Sequence, residues 1–133
     1  MSPLDGQRRQ APCVLIFEDD REFRRVLVEL LEDEGFEVST CDSYAVLCEA
    51  MRAREKHIVL ADFWGTSHTE LSPRERDEIR ELGRAVPTIL MTGRSWAAGM
   101  EPHELNLVSI LPKPPALDDI IAQIVDCARA ISE

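Results

Sequence analysis

The stretch Ile58-Val59-Leu60-Ala61-Asp62 is a run of four apolar residues that ends on a carboxylate. A short continuous apolar run is typical of a strand that is buried on both faces of a parallel sheet. An acidic residue at the carboxyl end of such a strand lies in the crevice where open α/β sheets bind their ligands. The stretch therefore predicts a central strand that carries a functional carboxylate.

Three further apolar runs end on polar residues in the same way. The runs are residues 14–17 before Glu18 and Asp19, residues 88–91 before Thr92 and Gly93, and residues 107–111 before Pro112 and Lys113. Because the carboxyl ends of parallel strands meet at one edge of a sheet, we expect the acids, the hydroxyl and the lysine to lie close together.

The segments between the runs predict helices. Apolar residues recur at helical spacing after the first and last runs, and Ser72 to Glu75 has the pattern of a capping box. In the second helix, the residues predicted to face the core are Val46, Leu47, Ala50 and Met51. Residues 95–106 contain Gly99 and Pro102, so any helix there is expected to be short or irregular.

Strands that alternate with helices predict a parallel sheet covered on both faces. Residues 36–40 alternate between apolar and polar side chains, which is typical of a half-exposed edge strand. The runs at 14–17, 58–61 and 88–91 are apolar enough for the centre of the sheet. The fold class that satisfies both demands is α/β, with the flavodoxin-like strand order 2-1-3-4-5.

Length and composition predict one domain. Of the 133 residues, we assign 1–12 to a loose N-terminal tail and 13–133 to the domain. A formal net charge of -10 makes nucleic acid a poor partner, since the phosphate backbone rewards positive charge. No apolar run approaches the length of a membrane span. The four cysteines lack metal-site spacing, so we expect reduced thiols, Cys13 and Cys127 among them in the core, in a cytoplasmic protein.

The residues expected at the shared edge suit phosphoryl chemistry. Glu18, Asp19 and Asp62 would repel one another in one crevice unless a divalent cation removed that cost, and a few carboxylates with retained waters describe a Mg²⁺ site. One carboxylate could also act as a nucleophile toward phosphorus. Lys113 can supply a cation and Thr92 a hydroxyl to the transferring group, and Gly93 leaves room beside the backbone.

Four of these features together resemble the receiver domain of two-component response regulators. They are the acidic pair Glu18-Asp19, Asp62 at the end of the third strand, Thr92 after the fourth, and Lys113-Pro114 after the fifth. The resemblance covers essentially Cys13 to the C-terminus. Each feature alone is weak, because strand-end acids commonly cap the following helix. All four in this order are specific.

The resemblance implies a role for each matching residue. Asp62 would accept the phosphoryl group. Asp19 would ligate Mg²⁺ directly, Glu18 directly or through water, and the backbone carbonyl of Trp64 would complete the protein ligands together with Asp62. Thr92 and Lys113 would bind the phosphoryl oxygens, and the Lys113–Pro114 bond would be cis, as is common in this family.

The sequence departs from the family pattern in three places. The loop after Asp62 lacks the usual proline four residues on. The switch position three residues before the lysine holds Ile110 instead of an aromatic residue, and the fourth helix is poorly marked. Because Ile110 has no ring to turn, we expect phosphorylation to rearrange the backbone of residues 93–106.

The resemblance implies a phosphoacceptor switch that takes its phosphoryl group from a histidine kinase or a histidine phosphotransfer protein. The protein is then expected to catalyse only its own phosphorylation and dephosphorylation. A separate output protein would read the switch, and a homodimer is compatible with this function. The alternative is a pseudo-receiver that binds proteins and is never phosphorylated, which the unusual loop after Asp62 would favour. A haloacid-dehalogenase-type hydrolase is disfavoured, since Asp-x-Asp is missing after the first strand.

Overall fold

Five parallel strands form one sheet in the computed structural model, which describes residues 12–52, 57–62 and 69–132. The strands are Cys13–Phe17 (β1), Glu37–Cys41 (β2), His57–Ala61 (β3), Thr88–Thr92 (β4) and Ser109–Pro112 (β5). Their order across the sheet is β2-β1-β3-β4-β5, which confirms the predicted flavodoxin-like order. Residues 1–11 of the predicted tail lie outside the described residues, and the tail stays a prediction.

Burial follows the predicted positions of the strands in the sheet. Every residue of β1, β3 and β4 is buried, whereas β2 exposes three of its five residues at the sheet edge. The start of the fifth strand was predicted wrongly. Leu107 donates its amide to the Pro102 carbonyl and so closes the preceding turn, Val108 is 44% exposed, and β5 begins only at Ser109.

Four α-helices are described: Arg21–Asp33 (α1), Tyr44–Arg52 (α2), Pro73–Ala85 (α3) and Leu117–Ser132 (α4). Asp20 caps α1 by accepting a hydrogen bond from the Phe23 amide. The Ser72–Glu75 capping box opens α3 as predicted, with Ser72 accepting from the Glu75 amide at 3.2 Å. None of the helices in the described ranges has the length and apolar character needed to cross a membrane.

The helices cover both faces of the sheet. One core joins β1 to α1 and α4 through Val14, Ile16, Leu27, Leu31, Ile120 and Ile124. The other joins β1 to α2 and α3 through Leu15, Phe17, Leu47, Ile79 and Leu82. The inward prediction for Val46 was wrong. Its side chain is 40% exposed, because Leu47, one residue and about 100° further round the helix, takes the buried position.

Two 3-10 helices, Ser95–Gly99 and Pro102–Leu105, connect β4 to β5, so the prediction of a short or irregular helix there is confirmed. We call them the upstream and downstream 3-10 helices. The downstream one is held against α3, where Arg80 donates its Nε–H to the Glu104 carbonyl at 2.8 Å and Asn106 donates its side-chain amide to the Arg80 carbonyl at 3.2 Å. Cys13 and Cys127 are buried, which confirms the prediction that they lie in the core, and Cys41 is buried as well.

Candidate functional site

The parallel sheet brings the carboxyl ends of β1 and β3 side by side. Phe17 at the end of β1 is in register with Ala61 at the end of β3, and Asp62 donates its amide to the Phe17 carbonyl at 2.8 Å. Glu18 and Asp62, the next residues of the two strands, therefore enter the same crevice. This placement follows directly from two apolar runs that each end on an acid.

Three carboxylates converge in the crevice. One oxygen each from Glu18, Asp19 and Asp62 can be chosen so that all three lie within 4.8 Å of one another. Glu18 is fully buried and Asp62 is 9% exposed, whereas Asp19 faces solvent. Hard oxygen ligands with one open side suit a cation such as Mg²⁺ that keeps several of its waters. The predicted metal ligands among the side chains are thus brought together. Trp64, the predicted carbonyl ligand, lies outside the described residues.

Lys113 reaches into this crevice from the loop after β5. Its ammonium nitrogen lies 2.6 Å from Asp62 Oδ2 and 2.8 Å from Glu18 Oε1, so one cation bridges the two buried acids. The Lys113–Pro114 peptide bond is cis, as the resemblance implied. The pairing partly offsets the cost of holding two carboxylates in a buried crevice.

The electrostatics of Glu18 and Lys113 are set by burial and by each other. Burial raises the pKa of Glu18 above its ordinary value, the neighbouring Asp62 raises it further, and Lys113 opposes both in part. Burial alone would lower the pKa of Lys113, but its bonds to Asp62 and Glu18 outweigh burial, so that this pKa is raised. Lys113 therefore carries its positive charge throughout the neutral range.

Thr92 and Gly93 stand beside the lysine at the end of β4. Thr92 is buried, its backbone carbonyl accepts from the Lys113 amide at 3.1 Å, and its hydroxyl oxygen accepts from the Arg94 amide at 3.0 Å. A hydroxyl that accepts one bond still has its own proton to donate. A Cβ placed on Gly93 would meet the Lys113 Cβ at 3.8 Å, so a side chain there would occupy space next to the lysine.

A model of the response regulator receiver domain matches residues 14–125 of the chain. The chain belongs to the response regulator receiver family. Among curated relatives, this receiver is 27% identical over 124 residues to the DNA-binding transcriptional regulator NtrC of Escherichia coli (strain K12). The alignment covers 92% of this chain and 25% of that protein, so the chain spans about a quarter of the length of this relative.

Solved structures share the fold of this receiver. A response regulator receiver domain protein from Clostridium thermocellum superposes with a TM-score of 0.72 at 19% identity, covering 91% of this chain and 97% of that one. A CheY-like receiver domain protein from Methanospirillum hungatei JF-1 gives a TM-score of 0.69 at 19% identity, with coverage of 91% and 97%. These similarities support the predicted fold.

The non-aromatic position Ile110 faces a groove in this receiver. Ile110 is partly buried and packs against the core beneath α2 and α3. It lines an open groove of about 480 Å³ together with Thr92, Lys113 and the upstream 3-10 helix. The groove joins the candidate phosphoryl site to the segment between β4 and β5. Ile110 therefore lies at the border of the candidate site.

Two residues of the receiver site were missed by sequence reasoning. The Phe23 ring lies under the Lys113 ammonium, with 5.2 Å between the nitrogen and the ring centroid. Arg24 donates from Nη1 to the Glu18 carbonyl at 3.2 Å. Both lie in the first turn of α1, directly behind the acidic pair. Their position one turn after the acidic pair indicates that they lie near Glu18. It indicates contact with Lys113 only once the position of the loop after β5 is known.

Proposed function

We propose that this receiver is a phosphoacceptor switch of a two-component phosphorelay. In this proposal, Asp62 accepts a phosphoryl group from a phosphohistidine of a histidine kinase or a histidine phosphotransfer protein. The observation that carries the proposal is the Lys113 ammonium, which contacts Asp62 at 2.6 Å and Glu18 at 2.8 Å inside a three-carboxylate crevice. Membership of the receiver family supports the same reading.

The chemistry assigns each group one task. An oxygen of the Asp62 carboxylate attacks phosphorus, the nitrogen–phosphorus bond of the donor breaks, and the imidazole leaves with the bonding electrons and takes up a proton from solvent. The product is an acyl phosphate on Asp62. Lys113 pairs with the oxygens of the transferring group, and the Thr92 hydroxyl donates its proton to one of them.

The residues present fit a divalent cation. Glu18, Asp19 and Asp62 offer oxygen ligands within 4.8 Å of one another, and one of the three faces solvent, which leaves room for retained waters. These three side chains would hold Mg²⁺, as would the carbonyl of Trp64. The ion would neutralise part of the charge on the carboxylates and on the phosphoryl oxygens.

Partners and location follow as parts of the proposal. The output is carried by a separate protein or by a further domain, since the relative NtrC is about four times longer than its matched portion. The receiver catalyses only its own phosphorylation and dephosphorylation, and a homodimer is compatible with the proposal. The cysteines form no disulfide within the part of the chain that the structure describes, which is compatible with a reducing compartment such as the cytoplasm.

Intact mass after incubation with acetyl phosphate and Mg²⁺ tests the proposal. The wild type is expected to gain the mass of one phosphoryl group, and Asp62→Asn is expected to gain none. Asp42→Asn is a matched control, because Asp42 follows β2 at the same edge of the sheet and is exposed. It should be labelled like the wild type.

Two results would contradict the proposal. Equal labelling of the wild type and Asp62→Asn would place the phosphoryl group elsewhere. A wild type that takes up no phosphoryl group from acetyl phosphate or from a phosphohistidine donor would favour the pseudo-receiver, which binds partners without phosphorylation.

A further inference from the structure

The surroundings of Lys113 include one neutral group that the proposed chemistry does not use. Two sides of the ammonium face the carboxylates of Glu18 and Asp62. A third side faces the ring of Phe23, with 5.2 Å from the nitrogen to the ring centroid. This distance lies within the range of about 6 Å at which a cation is attracted to the face of an aromatic ring.

The contact between Lys113 and the ring can persist when a phosphoryl group binds, whereas its contacts with the carboxylates have to change. Once one Asp62 oxygen is bonded to phosphorus, Lys113 has to exchange its carboxylate contact for the phosphoryl oxygens. Divalent cation binding places the same demand on its contact with Glu18. The face of Phe23 is uncharged and takes part in neither exchange. Its attraction is weakly directional, so the ammonium can shift between oxygen partners without losing the ring.

We propose that Phe23 is a positioning residue that holds the Lys113 ammonium at the phosphoryl site and screens it from water. This inference deepens the proposed function of the site and rests on it. Lys113 keeps 27% of its side chain exposed, so water competes for the ammonium on the open side. An aromatic face there keeps the lysine inside the crevice at low cost in entropy, because the ring is itself packed against the core formed with α1 and α4.

Ordinary core packing is the simpler explanation for the position of Phe23. Suitable variants distinguish this packing role from the positioning of Lys113. Phe23→Leu keeps an apolar side chain in the core but removes the aromatic face. Phe23→Tyr keeps the face. Phe36→Leu is a matched control, since Phe36 belongs to the same core and no cation lies over its ring within the part of the chain that the structure describes. A packing role predicts similar losses for both leucine variants.

The first measurement needs neither metal nor phosphoryl donor. The chain has two lysines, Lys56 and Lys113, so competitive acetylation by limiting acetic anhydride can be followed at each by peptide mass spectrometry, with Lys56 as the internal standard. Phe23→Leu should raise the relative acetylation rate of Lys113 by about two- to fivefold, the factor that corresponds to one cation–π contact at a partly exposed site. Phe23→Tyr should restore the wild-type ratio, and Phe36→Leu should leave it unchanged.

The second measurement is the rate at which acetyl phosphate labels Asp62 in the presence of Mg²⁺. Phe23→Leu should lower this rate by a similar factor of about two to five, and Phe23→Tyr should recover it. Acetyl phosphate is used because it involves no docking of a kinase on α1. An effect that appears only with a phosphohistidine protein as donor would assign Phe23 to a docking surface and overturn the positioning role.

The outcomes separate the two proposals. If the wild type is never phosphorylated, the proposed function fails, and the acetylation ratio still decides whether Phe23 holds Lys113. The positioning role is wrong if Phe23→Leu leaves the acetylation ratio unchanged, if Phe23→Tyr loses as much as Phe23→Leu, or if Phe36→Leu has the same effect as Phe23→Leu.

Discussion

Gly83 lies where α3 meets the end of the downstream 3-10 helix. We expect its replacement by alanine to destabilise the protein, although this substitution usually stabilises a helix. In an open helix, glycine to alanine stabilises by about 1 kcal/mol. At this position, an added Cβ would lie 2.3 Å from the Asn106 carbonyl oxygen and 3.0 Å from that of Leu105. Both neighbours are backbone atoms, so no side chain can turn aside to make room.

The magnitude follows from what has to move. Relieving the contact requires the backbone at Asn106 to withdraw from α3, which strains a well-packed interface at a cost of about 1–3 kcal/mol. The withdrawal also weakens the hydrogen bonds from Arg80 to the Glu104 carbonyl and from Asn106 to the Arg80 carbonyl, each worth about 1 kcal/mol. After subtraction of the helix gain, Gly83→Ala should lower the free energy of unfolding by about 1–3 kcal/mol.

Urea denaturation of the wild type and of Gly83→Ala measures the difference in the free energy of unfolding. The matched control is Gly99→Ala, because a Cβ on Gly99 would meet no atom of the described residues within 4 Å. That variant should change the free energy of unfolding by no more than about 0.5 kcal/mol, as expected for a surface substitution without a special contact. A Gly83→Ala protein as stable as the wild type, or more stable, would show that α3 and the downstream 3-10 helix do not meet closely in solution.

Two further predictions concern the site and the segment beside it. Burial raises the pKa of Glu18 in the folded state, so the folded protein binds more protons than the unfolded one between the two pKa values. In metal-free buffer, the free energy of unfolding should therefore fall as the pH rises from the ordinary pKa of 4.5 through the raised pKa. Urea titrations at several pH values should show this slope in the wild type and lose it in Glu18→Gln; an equal slope in both proteins would assign it to another group. When beryllium fluoride and Mg²⁺ are added, the amide exchange rates of residues 93–101 should change, and those of residues 102–106 should change little, because hydrogen bonds to α3 hold the latter. Equal changes in both stretches would show that the contact with α3 does not restrain residues 102–106.

The topology was accessible from sequence because burial on both faces leaves a visible pattern. β1, β3 and β4 each contain a continuous apolar run, and such runs predict central strands without any knowledge of their neighbours. Once the strands are parallel, Glu18 and Asp62 must share an edge. The acidic half of the site therefore followed from local sequence and one general property of parallel sheets.

The remaining features depend on contacts between segments that are distant along the chain. The Phe23–Lys113 contact joins the first turn of α1 to the loop after β5, and no local pattern reports how closely these approach. The late start of β5 has the same origin, since the Leu107 amide is taken by the Pro102 carbonyl of the preceding turn. Val46 was misplaced by one helical position because α2 has apolar side chains on both sides of its buried stripe.

Thr92 links the phosphoryl site to the segment expected to respond. Its hydroxyl oxygen accepts from the Arg94 amide, and Arg94 is the residue from which the upstream 3-10 helix starts. The Arg94 side chain makes no capping hydrogen bond. If Thr92 moves toward a phosphoryl group on Asp62, its bond to Arg94 lengthens and the start of this helix is released.

The far end of the same segment is fixed, and this limits how much of the chain can move. Pro102 to Leu105 is held against α3 at Gly83 and Arg80, so the sequence-based expectation of a rearrangement over residues 93–106 narrows to 93–101. Ile110 has a stiff β-branched side chain and no ring to swing, so it offers no alternative route through a rotamer change. Residues within 93–101 form one wall of the groove that Ile110 and Lys113 also line. We therefore expect phosphorylation to alter the shape of this groove, and a partner that reads the switch to contact its wall at the upstream 3-10 helix.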